Sequence, residues 1–395
     1  MSRKRTGFLG NEPAHGGMII RMALMILFMG LPASVKAQPP TPTLVSKSRV
    51  YEYDKADPYD QSNEFGFNHA PSVTRLQDGR LLTAWFSGPF EASVHQVILG
   101  AYSSDDGETW DQATQLQDES TRSDFDPAFI TAGNQTFLFY SVGRWNRYPF
   151  VGLREAEQRE VGIDSYRLLT RVTSDNGKTW SDAKRVLDET GWGCRGNGVV
   201  LSNGDLVLPI YHFKAPYASA SLISTDGGGS WQRHEEVRTP GKVGAGEPTI
   251  AELPDGRIIM ALRTYDGKLW LTYSSDQGRS WTQPEQTDMT ATSSSHFLLS
   301  ATNGTLVLIH NPSEPPARDV LTLRLSDDAG ATWGEPLTLD RIEPADASQG
   351  LWSQQVCYPC AVELADGTLA VVWAKLDIGN RHQSGVIVSA RVKIK

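Results

Sequence analysis

The sequence predicts an all-β chain folded as a six-bladed β-propeller, on three observations. The pattern Ser/Thr-x-Asp-x-Gly-x-Ser/Thr-Trp occurs five times, ending at Trp110, Trp180, Trp231, Trp281 and Trp333. Six turn signals interleave with it: Asp78-Gly79, Gly133-Asn134, Asn203-Gly204, Asp255-Gly256, Asn303-Gly304 and Asp366-Gly367. Each is flanked by apolar alternation, as in "ELPDGRIIMALR" and "ELADGTLAVVWA", while helical periodicity is scarcely visible. Five of the six are the Asn/Asp-Gly pair that hairpins favour. Two hairpins per unit, in six units, make six four-stranded blades.

Taken in chain order, the first segment lies outside that fold. "MIIRMALMILFMGLPASVKAQPP" has Arg21, an apolar run from Met22 to Leu31 and the small-residue site Val35-Lys36-Ala37. The run is shorter than the roughly 20 residues that cross a bilayer, so residues 1–37 read as a signal peptide cleaved after Ala37, with Met18 as an alternative start. A secreted or periplasmic location follows. Residues 38–62 are expected to form an N-terminal extension and residues 63–395 the propeller. The last three repeat intervals are 51, 50 and 52 residues but the first is 70, so "FVGLREAEQRE", Phe150 to Glu160, is an insertion expected over one face as a short helix or charged loop.

Within each repeat, Asp and Ser/Thr side chains accept backbone N–H bonds and Gly supplies a positive φ. The repeats lack the alternating oxygens and terminal Glu of a calcium loop, so no metal is expected, nor any cofactor. The net charge of −9 argues against a nucleic-acid or anionic-membrane partner. A monomer is expected. Of Cys194, Cys357 and Cys360, either Cys194 bridges to the Cys357–Cys360 segment or the thiols are buried and free.

The turns locate a candidate site. In an up-and-down blade both hairpin turns lie at one end, and the inner strand begins at the other. Eight residues before the Asn/Asp of each turn stand Asp126, Arg195, Glu247, Ser295 and Tyr358, with Ala70 beside His69 in the first blade. Side chains alternate with period two, so equal offsets mean equal faces and heights. These residues converge on one mouth of the axis, where a substrate would sit, and the hairpin register sets Arg263 diagonally beside Glu247. The repeated turns staple the far rim.

The repeats resemble those of the sialidase (neuraminidase) superfamily, the Asp-box or bacterial-neuraminidase repeats, and the resemblance runs from about Asn63 to Ile394. Asp boxes carry fold rather than activity, since they also occur in binding modules and other enzymes. More specific is "GEPTIAELPDGRIIMALRT", which resembles the family segment joining a Glu to the second arginine of a carboxylate-binding triad and implies Glu247 and Arg263. "NPSEPPARDVLTLRLSDDAGATW" resembles the segment of the third arginine and implies Arg318. "CYPCAVELADGTLAVVW" resembles the segment of the tyrosine nucleophile and implies Tyr358. Asp126 in "DFDPAF" and Trp145 in "VGRWN" fall at pocket positions of the family.

The resemblance implies an exo-glycosidase releasing terminal α-linked sialic acid, or a related acidic sugar, by a retaining mechanism. A sialic acid carries a carboxylate on its anomeric carbon, which planar guanidinium forks bind. A neutral tyrosine is not repelled by that charge, and Glu247 can take its proton as general base; sialidases are the tyrosine exception among glycosidases. The chain departs from the family twice. "NHAPSV" puts His69 where the family has the first arginine of an Arg-Ile-Pro motif, leaving Arg195, Arg144 or Arg147 to supply the charge. The loop "SGPFEASVHQ" lacks the family's acid/base Asp, so Glu91 is the first choice for general acid and Asp126 the second. Two other classes remain open: another hydrolase or lyase acting on an acidic polysaccharide through His69 and Tyr358, and a glycan-binding propeller without turnover.

Overall fold

The computed structural model describes residues 41–53, 64–144, 162–215, 217–241, 243–343, 353–378 and 383–394. They form six antiparallel sheets arranged as the blades of a β-propeller. The inner strands, in blade order, are Phe67–Arg75, Ser123–Ala132, Trp192–Cys194 with Val199–Val200, Gly246–Glu252, Phe297–Ser300 and Gln354–Glu363. Each packs on the inner strands beside it, and the sixth packs on the first, which closes the ring. In blade 3 the inner strand is broken into two pieces around Arg195.

The last blade differs from the sequence expectation. Its strands Gln354–Glu363, Leu369–Asp377 and Ser384–Lys393 are joined by Thr43–Glu52, which pairs from Thr43↔Lys393 to Glu52↔Val386. Part of the expected extension is therefore a propeller strand. The sixth unit has no Asp box and so no fourth strand of its own, and the strand before blade 1 covers the open edge.

Five of the six first hairpins also close differently from a two-residue turn. Leu253 N–H donates to Arg257 O at 2.7 Å and Gly256 N–H to Leu253 O at 2.9 Å, so the loop is Pro254-Asp255-Gly256, with Gly256 at φ +83°. Leu76, Leu201, Ala301 and Leu364 begin the same loop, whereas Ala132 pairs with Gln135 across a two-residue turn. Counted from the last paired residue, the candidate site residues still stand at one height, six positions back in every blade.

The Asp boxes are five copies of one hydrogen-bond pattern. In the first, Ser103 Oγ donates to Asp105 Oδ1 at 2.8 Å and accepts from Gly107 N–H at 2.9 Å. Thr109 donates its N–H to Asp105 Oδ1 at 2.9 Å and its hydroxyl to Oδ2 at 2.6 Å. These bonds hold the aspartate ionised, and Asp175 and Asp226 in their copies are pulled down to about 2.

The tryptophan that ends each box packs on the preceding blade. Trp110 donates to Ser389 Oγ at 3.0 Å in blade 6, Trp281 to Ser221 Oγ at 3.2 Å in blade 3, and Trp231 lies edge-on to Phe139 of blade 2 at 5.2 Å. The hydrophobic core accordingly lies between blades. Trp231→Ala is expected to cost about 2–3 kcal/mol in urea unfolding, because the ring is half-buried, with kcat of the folded fraction unchanged.

Among the described residues no helix is long and apolar enough to cross a membrane. The predicted signal peptide and the insertion at Phe150 to Glu160 lie outside the described residues, as do Trp145 and Arg147. Cys194, Cys357 and Cys360 are buried and free, which is the second of the two expectations for them.

Candidate active site

Four inner strands carry the same local device at the same height. Ala70-Pro71, Asp126-Pro127, Glu247-Pro248 and Tyr358-Pro359 each occupy a break in register with the second strand: between His69 and Ser72, Phe125 and Ala128, Gly246 and Thr249, and Cys357 and Cys360. Proline has no N–H to give to the ladder, so it favours such a bulge. The residue before it takes a left-handed conformation, with φ of 54° at Ala70, 49° at Asp126, 36° at Glu247 and 57° at Tyr358. Each such residue costs about 1–3 kcal/mol. Three of the four point chemistry at one cavity.

That cavity is about 380 Å³ and is lined by His69, Glu91, Asp126, Glu247, Arg263, Arg318 and Tyr358 together with an aromatic wall. On its floor the Tyr358 hydroxyl donates to Glu247 Oε1 at 2.9 Å and accepts from Arg263 Nη1 at 2.7 Å. Arg263 Nη1 also pairs with Glu247 Oε1, while its Nε donates to Ser293 Oγ at 3.1 Å. Arg318 donates to the Ser293 carbonyl at 2.6 Å and to Gln355 Oε1 at 3.0 Å. Ser293 thus ties the two guanidinium groups together. Two cations side by side repel unless an anion is shared, and Glu247 neutralises only one of them.

Burial sets the protonation states. It raises the Tyr358 phenol well above the usual tyrosine value; Arg263 and Arg318 work against that and the Glu247 charge adds to it, so the phenol is neutral at rest. Asp126 is raised to about 8 by burial first and by the Glu247 charge second, with Arg195 pulling the other way. It is thus a carboxylic acid at neutral pH.

The remaining predicted residues divide. Glu91, the first choice for general acid, lines the cavity but is exposed at its rim, with its backbone N–H donating to Gln383 Oε1 at 3.2 Å. His69 lines the cavity as an uncharged imidazole. It is buried with its ring 4.2 Å from that of Tyr358 and edge-on to Phe86 at 5.4 Å, and burial together with Arg318, Arg195 and Arg263 keeps it neutral. Arg195 shares the height of Tyr358 but does not line the cavity. It is 1% exposed, and its guanidinium lies 4.9 Å from the Tyr358 ring centroid. Arg144 donates to Thr121 at 2.9 and 3.1 Å and likewise does not line it.

The aromatic wall was missed by counting back along inner strands alone. Phe125, Tyr166, Phe213 and Tyr211 form one continuous run of ring contacts, and Tyr217 stacks on Tyr265 at 5.4 Å. A signal was present in the second strands. Phe86, Tyr211 and Arg263 all line the cavity, and each stands seven residues after its turn glycine, Gly79, Gly204 or Gly256.

The comparisons with known proteins agree with this architecture. The family model for the BNR repeat-like domain matches residues 79–371. A sialidase of Paraclostridium sordellii is 28% identical over 238 residues, 53% of this chain and 56% of that protein. A sialidase of Micromonospora viridifaciens is 24% identical over 294 residues, 67% of this chain and 44% of that protein. The alignments thus span about half the length of these curated relatives. Among solved structures, the NanB sialidase of Streptococcus pneumoniae superposes with a TM-score of 0.68 at 16% identity, covering 88% of this chain and 70% of that one. A protein of unknown function from Dyadobacter fermentans gives 0.70 at 16% identity, covering 90% and 99%. At these identities the structural likeness is one of fold.

Proposed function

Because the chain belongs to the BNR repeat-like family of the sialidase superfamily, we propose that it is a retaining exo-glycosidase that releases a terminal α-linked sialic acid or a related acidic sugar. The observation that carries this reading is the Tyr358 hydroxyl, bonded to Glu247 and Arg263 on the cavity floor. The curated relatives named sialidases support the substrate class.

In this reading the chemistry runs in two halves. Arg263 and Arg318 bind the substrate carboxylate, which supplies the anion their pairing calls for. The Tyr358 proton passes to Glu247 as the phenolic oxygen attacks the anomeric carbon, and Arg263 stabilises the charge developing on that oxygen. The glycosidic bond breaks, and its oxygen takes the proton of Asp126. A water then attacks the glycosyl-tyrosine bond, giving its proton to the Asp126 carboxylate, and Tyr358 leaves and recovers its proton from Glu247. Asp126 replaces Glu91 as the preferred acid, since a general acid has to hold its proton at the working pH. The neutral His69 and the aromatic wall exclude water around the ring.

A pH dependence follows. The protonated Asp126 is present below about 8 and lost above it, so kcat/KM should fall as pH rises through about 8, and Asp126→Asn should remove most activity. A free aspartate loses its proton near about pH 4, so between about 4 and 8 the folded chain holds a proton that the unfolded chain lacks. Stability should therefore decline as pH rises across that window, and Asp126→Asn should flatten the decline in urea titrations.

The function is tested by incubating the protein with a fluorogenic α-ketosidic sialoside and, in parallel, with acidic polysaccharides assayed for reducing ends and unsaturated-sugar absorbance. Fluorophore release, with the α-anomer as first product by NMR, is the expected result. Unsaturated products alone would point to a lyase. Binding of sialoside without release would mean a lectin-like propeller.

A further inference from the structure

Arg195 is a buried cation that the steps above do not use. Its partners are distant: Nη1 lies 3.5 Å from Ser72 Oγ and Nη2 lies 3.4 Å from Pro71 O, while Nε has none. Among the described residues it has no ion-pair partner. Such a charge is costly to bury, and replacing it with an apolar side chain of similar volume is often neutral or stabilising. The fold nevertheless goes out of its way to deliver it. The inner strand of blade 3 is interrupted over Arg195-Gly196-Asn197-Gly198, where a Cβ on Gly196 would lie 2.9 Å from Pro248 O and one on Gly198 2.5 Å from Val207 O. Asn197 stitches the break, donating to Val73 O at 2.8 Å and accepting from Phe129 N–H at 2.9 Å.

What the break delivers is a guanidinium against the nucleophile's ring. Arg195 lies 4.9 Å from the Tyr358 centroid, Arg318 lies 5.5 Å from it, and Arg263 holds the oxygen. Both ring distances fall within cation–π range. The charged and titratable groups around this phenol are three guanidiniums, the Glu247 and Asp126 carboxyls, the Tyr211 phenol and the neutral His69 ring.

We propose that Arg195 is a positioning residue for Tyr358: from behind the ring it aligns the phenol with Glu247 and Arg263 and favours negative charge on its oxygen as the proton leaves. The proposal rests on the reading of Tyr358 as nucleophile, and the experiment separates the two. The 12 tyrosines are replaced by 3-fluorotyrosine, and the Tyr358 fluorine resonance is assigned by its loss in Tyr358→Phe. Its titration is followed in wild type, Arg195→Met, Arg195→Gln and Arg195→Lys.

The neutral variants should raise the midpoint by about one pH unit, a tenfold change in ionisation constant, while Arg195→Lys stays near wild type. In turnover of the sialoside, Arg195→Met should lower kcat about 10- to 100-fold with KM nearly unchanged, because the side chain does not reach the cavity. Its Tm should be no lower than that of wild type. An unmoved midpoint would overturn the proposal whatever kcat does. So would unfolding or a large loss of Tm in both neutral variants, which would mean that the cation serves the fold. If the midpoint moves but Tyr358→Phe still turns over, the nucleophile reading falls and the tuning of the phenol stands.

Discussion

Tyr358→Phe is expected to abolish turnover, by at least about 10³-fold in kcat or about 4 kcal/mol in the barrier, while substrate binding survives. Phe keeps the ring that packs against His69 and loses only the oxygen that bonds Glu247 and Arg263. Glu247 and Arg263 remain paired to each other, so neither is left as an unpaired buried charge, and stability should change by no more than about 1–2 kcal/mol. Calorimetric binding of a sialoside to the variant, alongside kcat, separates the covalent step from recognition. Near-normal kcat would make Tyr358 a packing residue and remove the central step of the mechanism.

Arg263→Lys should lower kcat/KM for an acidic glycoside about 10- to 100-fold, equivalent to about 1.4–2.8 kcal/mol. Arg263 holds Glu247 and the Tyr358 hydroxyl through Nη1 and Ser293 Oγ through Nε, two nitrogens of one plane. A lysine keeps the charge but cannot reproduce the planar fork. Arg318→Lys should follow the same direction, because Arg318 shares Ser293 and lines the same cavity. Neutral glycosides should be poor substrates of the wild type and indifferent to either change. Cleavage of a neutral sugar faster than of any acidic one, and equally by Arg263→Lys, would sink the carboxylate pocket and the substrate class with it.

Much of the site could be read from turn chemistry. The pairing of Glu247 with Arg263 was expected from hairpin register, and the contact forms, although by another route. The turn is one residue longer than a two-residue hairpin loop, and the Glu247-Pro248 bulge sets Gly246 directly opposite Arg263. The recurring X-Pro step was visible in "HAPS", "FDPA", "GEPT" and "CYPC". What no local pattern gave was the left-handed backbone before each proline, because a residue preceding proline ordinarily prefers extended conformations. The aromatic wall was hidden for a related reason. Apart from Phe125, its residues sit on second and third strands and in loops, where their facing depends on neighbouring blades.

The sequence by itself determined the number of blades, the rim that carries the Asp boxes and the height at which Asp126, Arg195, Glu247 and Tyr358 stand. All three are local properties, fixed by turn residues and by the period-two alternation of a strand. Tertiary structure alone decided which of those residues reach the cavity. Ring closure brings side chains from all six blades around one mouth, leaves Arg195 behind the Tyr358 ring and gives the last blade its outer strand from Thr43–Glu52. It also decided the protonation states. The proton on Asp126 and the neutrality of His69 come from desolvation by residues far away in the chain, and spacing along a sequence carries no measure of that burial.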